Sequence, residues 1–241
     1  RLHFSPDKGI RKSEFPVTYY LMGDLADEEA PGKAWKTANQ WPPEGYENVP
    51  LYLHPDGSLR FSPPPFSRGM KEFFYNPENP VPTLGGRNLE IDAGPYDQRS
   101  VENRPDVLLF TSPPLEKPLE VVGKIQLVLY ASSTAQDPYF SAKITDVYPQ
   151  EQSLLITDGI LRGRLREGFH KDAGWKAGSV YKLLIDLGNT AIVFNKGHRI
   201  RLSISASNFP RWEKPPEPAR YSVFLSSNSP SHLLLPIKKS P

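Results

Sequence analysis

The sequence predicts an all-β protein, a jelly-roll β-sandwich with long proline-rich loops. Several segments alternate apolar and polar residues with a period of two, which places every second side chain on one face of a strand. No such segment is followed by an amphipathic helix of about ten or more residues, so parallel βαβ units are excluded. The 27 prolines cluster between these segments, where a residue without an amide donor is tolerated. Antiparallel sheets joined by long crossovers remain, meaning a jelly roll or a related sandwich.

Composition sets bounds on the class of protein. With 241 residues, 38% of them hydrophobic, the chain can form one large all-β domain with its own core. The net charge of +2, spread over both signs, gives no reason to expect a nucleic-acid partner. The absence of cysteine excludes disulfides, thiol catalysis and cysteine zinc sites, and it fits a bacterial protein in any compartment, cytoplasmic or exported. No run approaches the roughly 18 apolar residues of a membrane span.

The first part of the chain is predicted to be rich in loops. Its strands are predicted at residues 17–22, 51–53, 59–61, 71–75 and 88–91. The polar stretch 28–45 is predicted to be a long loop held by two aromatic anchors, Trp35 and Trp41. Residues 54–58, with Gly57, are typical of a hairpin connection. The chain opens without Met or an apolar signal core, which indicates a cut inside a longer polypeptide.

Alternation is stronger from Asp106 onwards. Ile125, Leu127 and Leu129 share one face, and Phe140–Thr145 alternates in the same way, as expected for strands that pack on a core on one side only. Further strands are predicted at 107–110, 154–166, 180–187, 191–194, 199–206, 221–225 and 232–237. We therefore expect a single domain over 1–241, in which residues 1–105 wrap a main sandwich formed by residues 106–241.

Eight motifs occur in a fixed order along the chain. They are LYLHPDGSL at 51–59, YNPENPVPTLGG at 75–86, AGPYDQR at 93–99, RPDVLLFTSPPL at 104–115, FSAKITDV at 140–147, DGILRGR at 158–164, GHRIRLSISASNFPR at 197–211 and SHLLLPI at 231–237. In this order they resemble the C-terminal non-catalytic domain of the X-Pro dipeptidyl-peptidases (peptidase family S15) and of the cocaine esterase–glutaryl acylase (CocE/NonD) serine hydrolases. One departure is Gln136–Phe140, QDPYF, where relatives often read DTDF.

The resemblance implies a galactose-binding-like sandwich that supports chemistry performed elsewhere. In this family the catalytic Ser, Asp and His belong to an upstream α/β-hydrolase domain, and this chain has no G-x-S-x-G nucleophile motif. The chain alone is therefore expected to be non-catalytic, without a cofactor or metal. Its expected partners are the catalytic domain of the same polypeptide and further copies of itself in a homo-oligomer. Esterase, peptidase and acylase activity of the parent all remain open.

One loop is predicted to approach the missing catalytic domain. Residues 80–94 carry Gly85 and Gly86, which permit close backbone approach, and prolines that stiffen the segment. The candidate pocket-facing or interface residues are Leu84, Gly85, Gly86, Leu89, Phe209 and Trp212. The alternatives are a solvent-facing connection for the loop and a structural corner for residues 208–212.

Titratable residues give no catalytic or metal motif. The histidines are His3, His54, His170, His198 and His232, and none falls in a metal-binding pair, so structural roles are expected. Asp146 and Asp158 could form a catalytic carboxylate pair. The favoured interpretation is structural, with Asp146 tied to an arginine or Asp158 capping a turn at Gly159.

Two other classes of function stay open from sequence alone. A carbohydrate-binding module would use Trp35, Trp41, Trp175 and Trp212 as stacking residues. A purely structural interaction domain would show a large exposed apolar patch.

Overall fold

Antiparallel strands form nearly half of the structure, a computed structural model that describes residues 16–239. His3 lies outside the described residues. The strands are β1 Val17–Leu21, β2 Ala34–Ala38, β3 Tyr46–Leu53, β4 Leu59–Arg60, β5 Met70–Tyr75, β6 Leu108–Thr111, β7 Leu119–Ser133, β8 Tyr139–Val147, β9 Ser153–Arg162, β10 Tyr181–Phe194, β11 Arg199–Ser205, β12 Ala219–Ser226, β13 Ser229–Pro230 and β14 His232–Lys238. The short helix α1 spans Arg99–Glu102, and a 3₁₀ turn spans Gly163–Leu165.

The strands form two sheets and one separate hairpin. In the large sheet the long strand β7 pairs with β10, β12 and β14, while β3, β4, β5 and β13 extend the sheet from β12 and β14. The small sheet has the order β6-β11-β8-β9. The hairpin β1–β2 is joined to β10 through Met22, whose backbone bonds Ala191 and Val193.

One hydrophobic core lies between the two sheets. It combines Phe110, Ile144 and Leu202 of the small sheet with side chains such as Leu127 of the large sheet. Across this core the rings of Phe140 and Tyr221 meet edge to face, with centroids 5.4 Å apart. Each fully buried side chain of this size stabilises the fold by about 1.5–3 kcal/mol. The all-β sandwich is thus confirmed, while the jelly-roll path and the single-domain boundary stay predictions.

Several predicted elements differ from the structure. The predicted loop 28–45 contains β2, because Ala34–Ala38 pairs with β1 in full register. No strand forms at residues 88–91, although they alternate, because this segment is the tip of a loop closed by bonds between Gly86 and Gly94. The predicted strand 154–166 ends at Arg162, where the 3₁₀ turn begins.

Strand β8 is buried on both faces rather than on one. Phe140 and Ile144 face the core, as alternation predicts. The opposite face, with Lys143 and Thr145, is also buried, because the segment that carries Gln98 and Glu102 covers it. The result is a layer of polar side chains under residues 97–106, outside the small sheet.

Candidate functional site

Residues 80–94, here called the rim loop, rise from the edge of the small sheet beside the corner at 208–212. The first end of the loop pairs with Phe209, since Thr83 N donates to Phe209 O at 2.7 Å and Phe209 N donates to Val81 O at 2.9 Å. The tip is closed by two backbone bonds between Gly86 and Gly94, of 2.8 and 3.0 Å. The rim loop is therefore an ordered element with its own hydrogen bonds.

Gly85 and Gly86 lie in close contact with other parts of this chain, while their predicted approach to a catalytic domain stays a prediction. Gly85 and Gly86 have φ values of 61° and 98°, a region that favours glycine. A Cβ at Gly85 would lie 2.4 Å from Gly94 O, and a Cβ at Gly86 would lie 2.9 Å from Nη1 of Arg211. Gly85 therefore needs glycine for space and for backbone conformation, while at Gly86 a Cβ would displace the Arg211 guanidinium.

Arg211 connects the rim loop to the interior of the small sheet. Its Nη1 donates to Asn88 Oδ1 at 3.2 Å, and its Nη2 lies 3.4 Å from Asp158 Oδ1. Its backbone N–H donates to Thr83 Oγ1 at 3.2 Å, and its guanidinium lies 4.5 Å from the ring centroid of Trp212. One side chain thus links the tip of the loop, the corner and strand β9.

Asp158 and Lys143 place opposite charges beneath this contact. Asp158 lies in β9, not in a turn as predicted, and also accepts a bond from Asn208 Nδ2 at 3.1 Å. Burial raises the pKa of Asp158, against the nearby charges of Arg211 and Lys143. Burial lowers the pKa of Lys143 to about 8. The charges stabilise each other in a site where both Asp158 and Lys143 are almost completely buried.

The Lys143 shift predicts a pH dependence of stability. Between pH 8 and 10.5 the folded lysine loses its proton while the unfolded one, with its ordinary pKa of 10.5, keeps it. Stability therefore rises with pH across this window. We expect wild type to gain about 3 kcal/mol relative to Lys143→Met over that range, measured by urea unfolding. A pH-independent difference between the two proteins would contradict it.

The six predicted site residues are brought together, with different orientations. Leu89 is fully exposed at the tip of the rim loop, and Phe209, in the corner, is 40% exposed. Leu84 instead packs on the small cluster of Val81, Val101 and Val107. Arg211 and Trp212 line both a groove that includes Leu89 and a cleft of about 590 Å³ whose lining includes Asp158 and Phe169.

Sequence reasoning missed the polar residues that hold the rim loop. Arg87, Lys143 and Arg211 were not singled out for this role. Arg87 Nη2 lies 3.5 Å from three oxygens of β9 and β10, those of Thr157 Oγ1, Asp158 O and Leu187 O. The alternation of β8 placed Lys143 on the face opposite the core, which was the one available signal.

A second buried charge cluster lies away from the rim loop. His198 is 2% exposed, and its Nδ1 lies 2.9 Å from Asp146 Oδ1 while its Nε2 lies 3.2 Å from Asp24 Oδ2. The prediction that an arginine ties Asp146 is wrong, because His198 takes that place. With both ring nitrogens occupied by carboxylates, His198 is a structural residue, as expected.

Other candidates carry no site within the described part of the chain. No group of three or more His, Asp or Glu residues there could hold a metal ion. The four tryptophans occupy different settings: Trp35 on Tyr20, Trp41 on Tyr19, Trp175 on Phe140, and Trp212 under Arg211. Each ring packs on a different partner, so the four do not form one binding platform, and carbohydrate binding is not favoured. Nor does any helix among residues 16–239 have the length and apolar character needed to cross a membrane.

Known proteins are similar to this chain over most of its length. The cocaine esterase of Rhodococcus sp. (strain MB1 Bresler) is 33% identical over 229 residues, covering 85% of this chain and 40% of that protein. The structure of an aminopeptidase from a marine sediment Thaumarchaeota archaeon superposes with a TM-score of 0.78 at 28% identity, over 86% of this chain and 39% of that one. An alpha-amino acid ester hydrolase gives a TM-score of 0.75 at 28% identity, over 85% and 39% of the two chains.

The chain spans about two fifths of the length of these relatives. A family model described as the X-Pro dipeptidyl-peptidase C-terminal non-catalytic domain matches residues 8–235. The match covers nearly all of the sandwich strands, and the motif order points to the same family. This chain belongs to the family of X-Pro dipeptidyl-peptidase C-terminal non-catalytic domains, the type of domain found in CocE/NonD hydrolases.

Proposed function

We propose that this chain is the accessory domain of an α/β-hydrolase-type serine hydrolase and that its rim loop forms one wall of the substrate pocket. The observation that carries the proposal is Leu89, a fully exposed apolar side chain at the tip of an anchored loop. Leu89 shares one groove with Ile91 and Trp212, and contiguous exposed apolar surface of this kind marks interaction sites. A catalytic domain packed beside this rim would leave Leu89 facing the cleft between the two domains, in contact with the bound substrate.

The surroundings of Leu89 support a contact surface there. Ile91 and Trp212 border the same groove, and Arg87 and Arg211 lie beside it. Aromatic and arginine side chains are enriched in the centres of protein interfaces. Because Arg211 holds the loop tip through Asn88, little conformational entropy is lost when a partner covers the tip.

The parent enzyme is proposed to cleave an ester or amide through an acyl-enzyme intermediate. Support comes from relatives that are named as an esterase, an aminopeptidase and an ester hydrolase. The chain itself contributes no nucleophile in this proposal. His198 is bound to two carboxylates and the Nε2 of His54 to the backbone oxygen of Ser62, so neither activates a serine hydroxyl.

The isolated chain is expected to have no hydrolase activity. Purified protein, checked for β-sheet content by circular dichroism, should give turnover equal to the buffer control with p-nitrophenyl esters and X-Pro-arylamides. Mock purifications from the same host serve as the control. Turnover that co-purifies with the chain and exceeds the mock preparation would show that it has its own active site.

Within the full-length parent enzyme, Leu89→Ser tests the pocket wall. Removing an apolar contact with the bound substrate should raise KM about five- to tenfold, because burying a leucine side chain contributes about 1.5–3 kcal/mol when complete. Leu25→Ser is the matched control, since Leu25 is also exposed but lies in the β1–β2 hairpin. Equal KM values for both variants and wild type would show that the rim loop does not line the pocket.

A further inference from the structure

Gln98 lies where the two ends of the rim loop come together. Its Nε2 donates to Leu84 O and to Tyr96 O, both at 2.9 Å. These carbonyls lie on either side of the Gly86–Gly94 closure, one on the chain entering the tip and one on the chain leaving it. A single amide group therefore clamps the neck of the loop, and its side chain is almost completely buried.

The orientation of this amide is fixed by Lys143. Lys143 Nζ lies 3.0 Å from Gln98 Oε1. An ammonium group only donates hydrogen bonds, so the amide oxygen must face Lys143 and the NH₂ must face the two carbonyls. The backbone of Gln98 is held as well, because its N–H donates to Ser153 O at 2.8 Å.

The clamp controls the direction of the loop rather than its internal shape. The tip is closed by its own bonds between Gly86 and Gly94. The neck, in contrast, is attached to the small sheet through Gln98, with β8 supplying Lys143 and β9 supplying Ser153. Loss of the two Nε2 bonds would leave the closed tip attached mainly through Phe209 and Arg211, so that it could tilt as a unit and move Leu89 with it.

We propose that Gln98, oriented by the buried Lys143, is a positioning residue that sets where Leu89 stands in the substrate pocket of the parent enzyme. This inference rests on the proposed function of the rim loop. Gln98 touches no substrate in this arrangement. It acts through the loop, and it belongs to the polar layer under residues 97–106 that the fold keeps away from water.

Gln98→Glu tests the two Nε2 hydrogen bonds while it keeps the contact with Lys143. The variant keeps the size of the side chain and an oxygen toward Lys143, but it replaces the NH₂ that serves Leu84 O and Tyr96 O with a second acceptor. Hydrogen exchange on the chain should show at least about tenfold faster exchange at the amides of Thr83 and Leu155, which bond the neck to its surroundings, with Gly86, Gly94 and β7 unchanged. In the parent enzyme KM should rise about tenfold while kcat changes less than about twofold.

Gln98→Met and the Leu89→Ser variant described above make the outcome decisive. Gln98→Met, similar in size and lacking all three polar contacts, should reproduce both effects. Unchanged exchange at Thr83 and Leu155 in Gln98→Glu would overturn the clamp whatever the kinetics. If Leu89→Ser raises KM and Gln98→Glu does not, the positioning role fails while the proposed function stands. If Leu89→Ser is silent too, the proposed function itself fails.

Discussion

We expect Gly159→Ala to lose about 3 kcal/mol of unfolding free energy, or to fail to accumulate as folded protein. A Cβ at Gly159 would lie 2.1 Å from Asp186 O and 3.0 Å from the Leu187 side chain. Gly159 belongs to β9 and Asp186 to β10, so this is the place where an edge of the small sheet meets an edge of the large one. Because the obstacle is a backbone carbonyl, no side-chain rotation relieves the clash.

Gly45→Ala is the control that separates the cost of a steric clash from the cost of an unfavourable backbone conformation. Gly45 has φ of 85°, and nothing lies within 4 Å of the position of its Cβ. The expected cost there is about 1 kcal/mol, the penalty for an L-residue in the left-handed region. Urea unfolding at constant pH measures both variants against wild type. Equal losses for the two would contradict the close approach of the sheets at Gly159.

His198→Gln is expected to lose about 3–5 kcal/mol, the usual cost of removing one partner from a buried ion pair. The variant leaves Asp24 and Asp146 buried without a cation. Asp24 lies in the connection that follows β1, and Asp146 lies in β8, so the loss should also loosen the hairpin β1–β2. Fluorescence of Trp35 and Trp41, which lie in and beside the hairpin, reports on that release.

The same cluster predicts how stability varies with pH. Burial by itself would lower the pKa of His198, but the hydrogen bond and charge of Asp146 and the charge of Asp24 raise it above 6.5. The stabilisation by the charged histidine is fully present below pH 6.5 and is lost as the pH rises through the raised pKa. Wild type should therefore lose stability relative to His198→Gln as the pH rises above 6.5.

A double-mutant cycle tests the pairing itself. Asp24→Asn with His198→Gln should cost clearly less than the sum of the two single variants, because each removes the same charge contact. Additive losses, together with a pH profile parallel to wild type, would show that His198 is neutral and packs only by shape.

The sequence predicts most strands because alternation reports directly on burial. Alternation gives the wrong prediction at β2 and at residues 88–91, in both cases for a physical reason. Strand β2 pairs only with β1 and has few buried residues, so it carries no alternation. Residues 88–91 do alternate, but the glycine-based closure between residues 86 and 94 leaves them at the tip of a loop, and local backbone bonding overrides a four-residue pattern.

The candidate site was predicted in part. The pair Gly85 and Gly86 predicts an unusual backbone conformation, because glycine readily adopts positive φ values that other residues avoid. Gln98 and Arg211 give no such signal, since their roles come from bonds to residues far along the chain, such as Lys143 and Asn88. A polar contact between residues that are distant in sequence produces no periodic pattern that could reveal it.

The position of β7 in the sheet has a consequence for how the chain assembles. Its three neighbours β10, β12 and β14 begin 62 or more residues after it starts, at Tyr181, Ala219 and His232. During synthesis this apolar strand must wait, unpaired, until those segments have left the ribosome. Such pairing between segments far apart in the chain slows folding and leaves an aggregation-prone strand exposed to other chains. Expression yield should therefore depend strongly on chaperone supply and temperature.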